Sequence, residues 1–342
     1  MADALLQPYV DALDEFPLTG TPEAKARAAL KYAVLAPSSH NSQPWLFRVV
    51  PAGIELSADR SRALPVVDPR DRELVISCGA ALFHLRAALR NFGCIEDTKL
   101  LPDPAQPDLL ARVHIKDGHE PTDEDHALFQ AIGRRRTFRF PFDPQPLPPT
   151  LLTMLERAAQ LEGATLGVLR TAVGRDAIAD FVARADRIQL SDRPFRRELA
   201  AWMHPNRSRS RDGMPGYALG LGDLASVAAP LAIRTFDVGR GQAAEHEALV
   251  RGSPVLAVFT TPDDTPADWL AAGQALARVL LRAEVEGVSA SFLNQPVEVP
   301  ELREQLQTLI GGHGVPQLLI RLGYGRTVRA TPRRPVTDVL IP

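Results

Sequence analysis

Residues 35–50 read "LAPSSHNSQPWLFRVV". Two prolines, three serines, an asparagine, a glutamine and a tryptophan precede an alternating apolar run. Upstream, Thr21-Pro22-Glu23 is an N-cap, an N1 proline and a first-turn acid, which opens a helix through about residue 36. Pro37 stops it, because the residue before a proline is pushed out of helical geometry. Downstream, "WLFRVV" is a strand with Trp45, Phe47 and Val49 on one face. The short polar side chains therefore sit in one turn between a helix and a sheet. Such a turn can be mere punctuation. It can also line a flat heterocycle that offers donors and acceptors along one edge.

The chain of 342 residues is long enough for two cores, or for one core shared by two halves. It is 45% hydrophobic and 23% charged with a net charge of −2, which argues against a general polyanion binder and against a nucleic-acid partner. Cys78 and Cys94 are too few and too far apart for a zinc or iron–sulfur site, and no metal-ligand spacing links the eight histidines. The N-terminal "MADALLQPYVDALDEF" lacks the apolar centre of a signal peptide, and no apolar run is long enough to span a membrane. A cytoplasmic protein with no membrane partner is expected.

Helix and strand signals then alternate. A polar strand is expected near residues 54–58, a long helix over 72–93 ending at a C′ glycine, a strand "LLARVHIK", and a helix after Thr122. The second half starts over with helix, strand, a long helix running to Gly287, and a strand "PQLLIRLGYG". Laid side by side, 78–93 and 272–287 match Gly79 to Gly273, Leu82 to Leu276 and Gly93 to Gly287 at one spacing. A degenerate tandem duplication of one α+β unit is expected, with halves 1–125 and 126–342. Residues 195–223, rich in Arg, Gly and Pro but holding Trp202, Met203, Met214 and Tyr217, are too long for a simple connection and suit a lid.

"PSSHNSQPW" resembles the "PSSxNxQPW" element of the nitroreductase-like FMN flavoprotein superfamily. In that family the turn touches a flavin held mainly by the other subunit. The resemblance nominates Pro37, Ser38, Ser39 and Asn41 for the flavin edge. "RRRTFRFPF" at 134–142 resembles the family's "RRSxRxF" phosphate element, and nominates Arg135, Thr137 and Arg139, with Arg134 and Arg136 as neighbours. Arginine forks suit a phosphate dianion. In ordinary members this element precedes the serine turn; here it follows by about 95 residues, at the head of the second half. Each half thus keeps what the other lacks.

"GVSASFLNQPVE" at 287–298 falls where the family sets a backbone N–H against flavin N5, which nominates Phe292, Leu293 and Asn294 beside Ser291. Leu293-Asn294 replaces the acid-glycine pair of many reductases and puts nicotinamide access in question. The terminal "PRRP" resembles the closing basic element, which nominates Arg334 or its neighbour Arg333. The resemblance covers most of the chain and is nearest to the long tandem, Acg-like branch.

It implies an α+β tandem nitroreductase-like fold, an intramolecular pseudo-dimer around one FMN, as a monomer or homodimer. It also implies an oxidoreductase passing electrons from a reduced donor such as NAD(P)H to a nitroaromatic or quinone. The rival is a flavin-sequestering protein with a lidded, poorly reducible FMN. No side chain is singled out as a catalytic acid or base, and no resident dinucleotide motif occurs.

Overall fold

The computed structural model describes residues 16–342; the N-terminal stretch read above as lacking a signal sequence falls mainly outside them. Helix α1 (Pro22–Ala33) starts as expected, with the Thr21 hydroxyl accepting from Ala24 N at 3.3 Å. It ends three residues earlier than expected: Leu35 and Ala36 bond back to Tyr32 and Ala33 in a tightened last turn ahead of Pro37. Strands β1 (Trp45–Val50) and β2 (Gly53–Ala58) form a hairpin, with Trp45 and Phe47 wholly buried. Helix α2 (Arg72–Asn91) follows, then β3 (Cys94–Leu100), β4 (Leu109–Asp117) and α3 (Asp123–Arg134), whose Thr122 closes a capping box with Asp125.

The remainder holds α4 (Pro149–Gln160), β5 (Thr165–Val168), α5 (Ala172–Ser191) and α6 (Arg193–Ala201). Next come the short parallel pair β6 (Met203–His204) and β7 (Met214–Pro215), then α7 (Asp223–Thr235) and α8 (Gly239–Arg251). After these follow β8 (Val255–Thr261), α9 (Pro266–Val285), β9 (Ser289–Phe292), α10 (Gln295–Glu298) and α11 (Pro300–Leu309). The last elements are β10 (Val315–Gly323), α12 (Val336–Val339) and β11 (Leu340–Ile341).

The architecture is mixed α+β with two main sheets. One runs β11-β1-β2-β4-β3, the other β5-β8-β10-β9. The second is antiparallel throughout. The first is antiparallel except at its edge, where β11 lies parallel to β1 with Phe47 opposite Leu340. Residues 340–341 therefore complete a sheet otherwise built before residue 118.

Helices α2 and α9 cross between the sheets, and one apolar cluster runs from Trp45 through Leu82 and Leu276 to Phe259. At the crossing Gly79 and Gly273 face each other. A Cβ on Gly273 would lie 2.0 Å from Ile76 O and 2.9 Å from Gly79 Cα, and one on Gly79 would lie 2.5 Å from Leu270 O. Only hydrogen side chains let the two backbones come this close. Among the described residues no helix is long and apolar enough to cross a membrane.

Candidate functional site

The serine turn sits on the N-terminal end of α2. Ser38 is extended, but His40, Asn41 and Gln43 have φ of 50°, 55° and 54°, three left-handed residues without a glycine, interrupted by right-handed Ser42. Such backbone persists only where surrounding contacts fix it. Here Gln43 N donates to Ser38 Oγ at 2.9 Å, Ser39 N to Ser77 Oγ at 3.3 Å, and Ser39 Oγ to the Glu73 carboxylate. Glu73 also accepts from Arg72 Nη2 at 3.0 Å and from Asn294 Nδ2 at 3.4 Å. It thereby ties the turn to the loop after β9.

Two more carboxyls, buried Asp68 and half-buried Glu298, lie close to Glu73. Burial, with Glu73's charge, pushes Asp68 up to about 6 and raises Glu298. His40 is driven the other way: burial holds it down to about 4, with Glu73 opposing and Arg139 assisting. It is neutral at pH 7.

The arginine tract leaves α3 and runs beside β9. Thr137 bridges to Ala290, and Phe138 N donates to Ala290 O at 2.9 Å. Buried Arg321 donates to Phe138 O at 3.2 Å and Phe140 O at 2.9 Å, and its guanidinium stacks 4.5 Å from the Phe142 ring. The tract's backbone is thus fixed, and Arg134 pairs with Glu284 at 3.8 Å, whereas Arg135 and Arg139 form no ion pair among the described residues. Arg135 is only 5% exposed, yet none of its guanidinium nitrogens has a hydrogen-bond partner among the described residues, and its Nε is fully buried. Burial, with Arg333 and Arg136 alongside, drives Arg135 down to about 9; Glu284 only partly opposes this. Arg139 is half-buried but closely surrounded by protein, forms no ion pair among the described residues, and is lowered to about 10 by burial alone. Buried unpaired cations are costly, so such an arrangement calls for an anion.

The turn and the tract adjoin. Arg333 Nη1 donates to Asn41 Oδ1 at 2.8 Å, and Asn41 Nδ2 donates to Pro332 O at 3.1 Å and Gly213 O at 2.9 Å. Gly213 N returns a bond to Asn41 O at 3.2 Å, Gln43 Nε2 donates to Arg211 O at 2.9 Å, and Arg62 pairs with Asp212. The segment 202–217 is strapped onto the turn. Met203 and Met214 are buried, Trp202 lies under Arg62, and the Tyr217 hydroxyl donates to Ala330 O at 2.7 Å.

Between strap, tract and tail opens a cavity of about 910 Å³ whose lining includes Leu35, Arg135, Thr137, Tyr217, Arg329 and Arg333. Pro37, Ser38, Ser39, Asn41, Arg139 and the 292–294 loop stand outside that lining. In the loop, Leu293 N bonds to Leu319 O at 2.9 Å, and Asn294 Oδ1 accepts from Leu319 N at 3.1 Å. The two tail arginines diverge. Arg334 turns away to Asp59 at 3.4 Å and Gln43 O at 3.1 Å, and Arg333 is the one beside Arg135.

No protein-family model matches the chain. A Mycobacterium tuberculosis (strain ATCC 25618 / H37Rv) protein provisionally named NAD(P)H nitroreductase Rv3131 is 33% identical over 330 residues, covering 94% of this chain and 93% of its own. Another from the same organism, provisionally named NAD(P)H nitroreductase acg, is 29% identical over 320 residues, covering 92% and 94%. The chain belongs to the nitroreductase family. Among solved structures it is similar to the FMN- and NADPH-dependent nitroreductase NfnB from Sphigopyxis sp. strain HMH, with 19% identity, a TM-score of 0.41, and coverage of 62% of this chain and 96% of that one.

Within this nitroreductase-family chain, two groups of residues at the site were not singled out from the sequence. Glu73 passes for an ordinary first-turn acid, although it links Ser39 to Asn294. Arg326 and Arg329 pass for a solvated tail, although both line the cavity.

Proposed function

We propose that this nitroreductase-family protein binds one FMN and passes electrons from a reduced nicotinamide to a small electrophile such as a nitroaromatic or quinone. The observation that carries this is the pair Arg135 and Arg139, enclosed side by side and in no ion pair among the described residues, with Glu284, itself paired to Arg134, only partly offsetting Arg135. A phosphate dianion fits that donor set. Arg135, Thr137 and Arg139 would grip it, with Arg333 alongside. Ser38 and Ser39 would meet the ring edge. Beyond Phe292, which pairs with β10 at the end of β9, Leu293's N–H is taken by Leu319, which leaves Asn294's.

When bound, FMN supplies reversible two-electron transfer. The protein's part is to hold and enclose it. Asn41's amide is spent on Gly213, Pro332 and Arg333, so its task in this arrangement is to clasp the strap rather than to edge the ring. Residues 195–223 then act as a lid.

The fold reading proposed with this function is a pseudo-dimer of halves 1–125 and 126–342. Residues on a twofold axis meet their own equivalents. The contact of Gly79 with Gly273, the pair matched by sequence spacing, supports that symmetry.

The experiment is a flavin titration followed by reduction. Arg139→Ala should weaken FMN binding by about 1.5–3 kcal/mol, the scale of charge-assisted hydrogen bonds. NADH or NADPH should bleach the bound flavin within minutes. A colourless protein that takes up no added FMN sinks the proposal. A flavin that only dithionite reduces removes the nicotinamide half of it.

A further inference from the structure

The cavity carries far more positive charge than one phosphate answers. Among the described residues, seven arginines line it against one carboxylate, Asp212, which is paired with Arg62. The whole chain has a net charge of −2, so this is a local concentration rather than a general bias. The cavity's 910 Å³ stands near the top of the range of about 300–1,000 Å³ for small-molecule sites. It has room for more than a phosphate and its ribityl arm.

The surplus is organised. Arg329 lies over the Tyr217 ring, its Cζ 4.3 Å from the centroid, and Tyr217 is itself anchored to Ala330. Arg326 lies over Phe140 at 5.0 Å. A guanidinium stacked on a ring is held flat while its N–H edges stay free to fork onto an oxyanion. Neither forms an ion pair among the described residues, and neither does Arg209, which lines the cavity from the strap. Arg135 and Arg139 belong to the tract; these three come from the tail and the strap.

We propose that Arg326, Arg329 and Arg209 form a second anion subsite, for an organic ligand whose own phosphate or carboxylate docks there while its reactive end points inward. The proposal rests on the FMN assignment for the inner arginines, and deepens it. It predicts that the protein selects charged ligands over neutral analogues of the same shape.

The test uses FMN-loaded protein and inorganic pyrophosphate as the probe, followed by calorimetry, with flavin content read from its absorbance. Wild type should bind pyrophosphate saturably and keep its flavin. The R326Q/R329Q double variant should bind it at least tenfold more weakly with unchanged flavin content. If that variant does not fold, R209Q on the facing wall carries the same expectation. No saturable binding, equal binding in the folded variants, or displacement of flavin one for one by pyrophosphate would each overturn the proposal. Pyrophosphate binding that depends on these arginines in a protein unable to hold FMN would keep the subsite and discard the FMN assignment.

Two ligand pairs then locate the source of the anion: NADP⁺ against NAD⁺, and 4-nitrobenzoate against nitrobenzene. Loss of discrimination in the double variant within the first pair assigns the subsite to the electron donor, and within the second pair to the acceptor. If wild type discriminates in neither pair, the organic-anion assignment falls.

Discussion

The turn at residues 37–43 and the tract at 134–142 are both rich in hydrogen-bonding groups and lie side by side, yet the chain treats them oppositely. In the turn the Asn41 amide is consumed internally, by Gly213, Pro332 and Arg333, while the Ser38 and Ser39 hydroxyls each make one bond, to Gln43 N and Glu73, and keep capacity for a ring edge. In the tract the backbone is held just as firmly, but Arg135 and Arg139 form no ion pair among the described residues, and Glu284 offsets Arg135 only in part. Satisfied polarity shapes a scaffold, whereas unsatisfied polarity marks where a ligand's charge belongs.

The sharpest way to break this contrast is Arg135→Met. Removing one member of a buried charge pair costs about 2–5 kcal/mol of binding, so FMN affinity should fall by that much. The ligand-free protein should melt higher, because a buried cation without a counter-charge is replaced by an apolar chain. Both readouts, titration and thermal melt, must move in opposite directions. A drop in both would make Arg135 a structural residue and erase the distinction.

Asn41→Ala should do the reverse. It strands Gly213 O and Pro332 O and should cost about 1–3 kcal/mol of stability, while FMN affinity stays close to wild type. An affinity loss exceeding the stability loss would move Asn41 to the flavin edge, where the family resemblance alone would put it.

Titration sharpens the same contrast. Arg135 and Arg139 are lowered to about 9 and about 10 when no anion is present. A bound phosphate keeps both protonated, so the complex retains protons that the free protein releases. Affinity should therefore be level from about pH 7, one unit above the phosphate's second ionisation near pH 6, to about pH 9, and fall as pH rises further. Fluorescence titrations across that span decide it; constant affinity to pH 11 would exclude these two arginines. A smaller effect belongs to Thr137→Val, which removes one uncharged donor to the phosphate and should weaken FMN binding by about 1.5 kcal/mol, the low end for a hydrogen bond to a charged group. No loss would restrict the grip to the guanidinium groups.

Much of this was legible in the chain. The helix before Pro37, the strand at Trp45–Val50, the two long helices and the capping role of Thr122 all carry local signals. Strand β8 does not: "VLAVFTT" is buried at every position, so it has no period to distinguish it from a helical core segment. Strand β3 went unnoticed for the converse reason. It is an edge strand whose "CIEDTKL" mixes charge and β-branched residues with only one fully buried side chain.

At the site, both polar stretches stood out by residue type. How their groups are used could not be read, because Asn41's partners lie 172 and 291 residues away. Arg333 and Arg334 are indistinguishable as neighbours in "PRRP". Asp59 and Gln43 draw one away, and no local rule anticipates that.

The parallel pairing of β1 with β11 also imposes an order in time. A ribosome adding about 5–20 residues per second finishes β1 roughly 15–60 s before residues 340–341 exist to lie against it. Until then the nascent first sheet presents an open edge at β1, and the arginine that contacts Asn41 has not yet been made. The ligand pocket is consequently among the last parts of the molecule to be assembled, and an early halt in translation would yield a polypeptide with most of its helices but no finished receptacle.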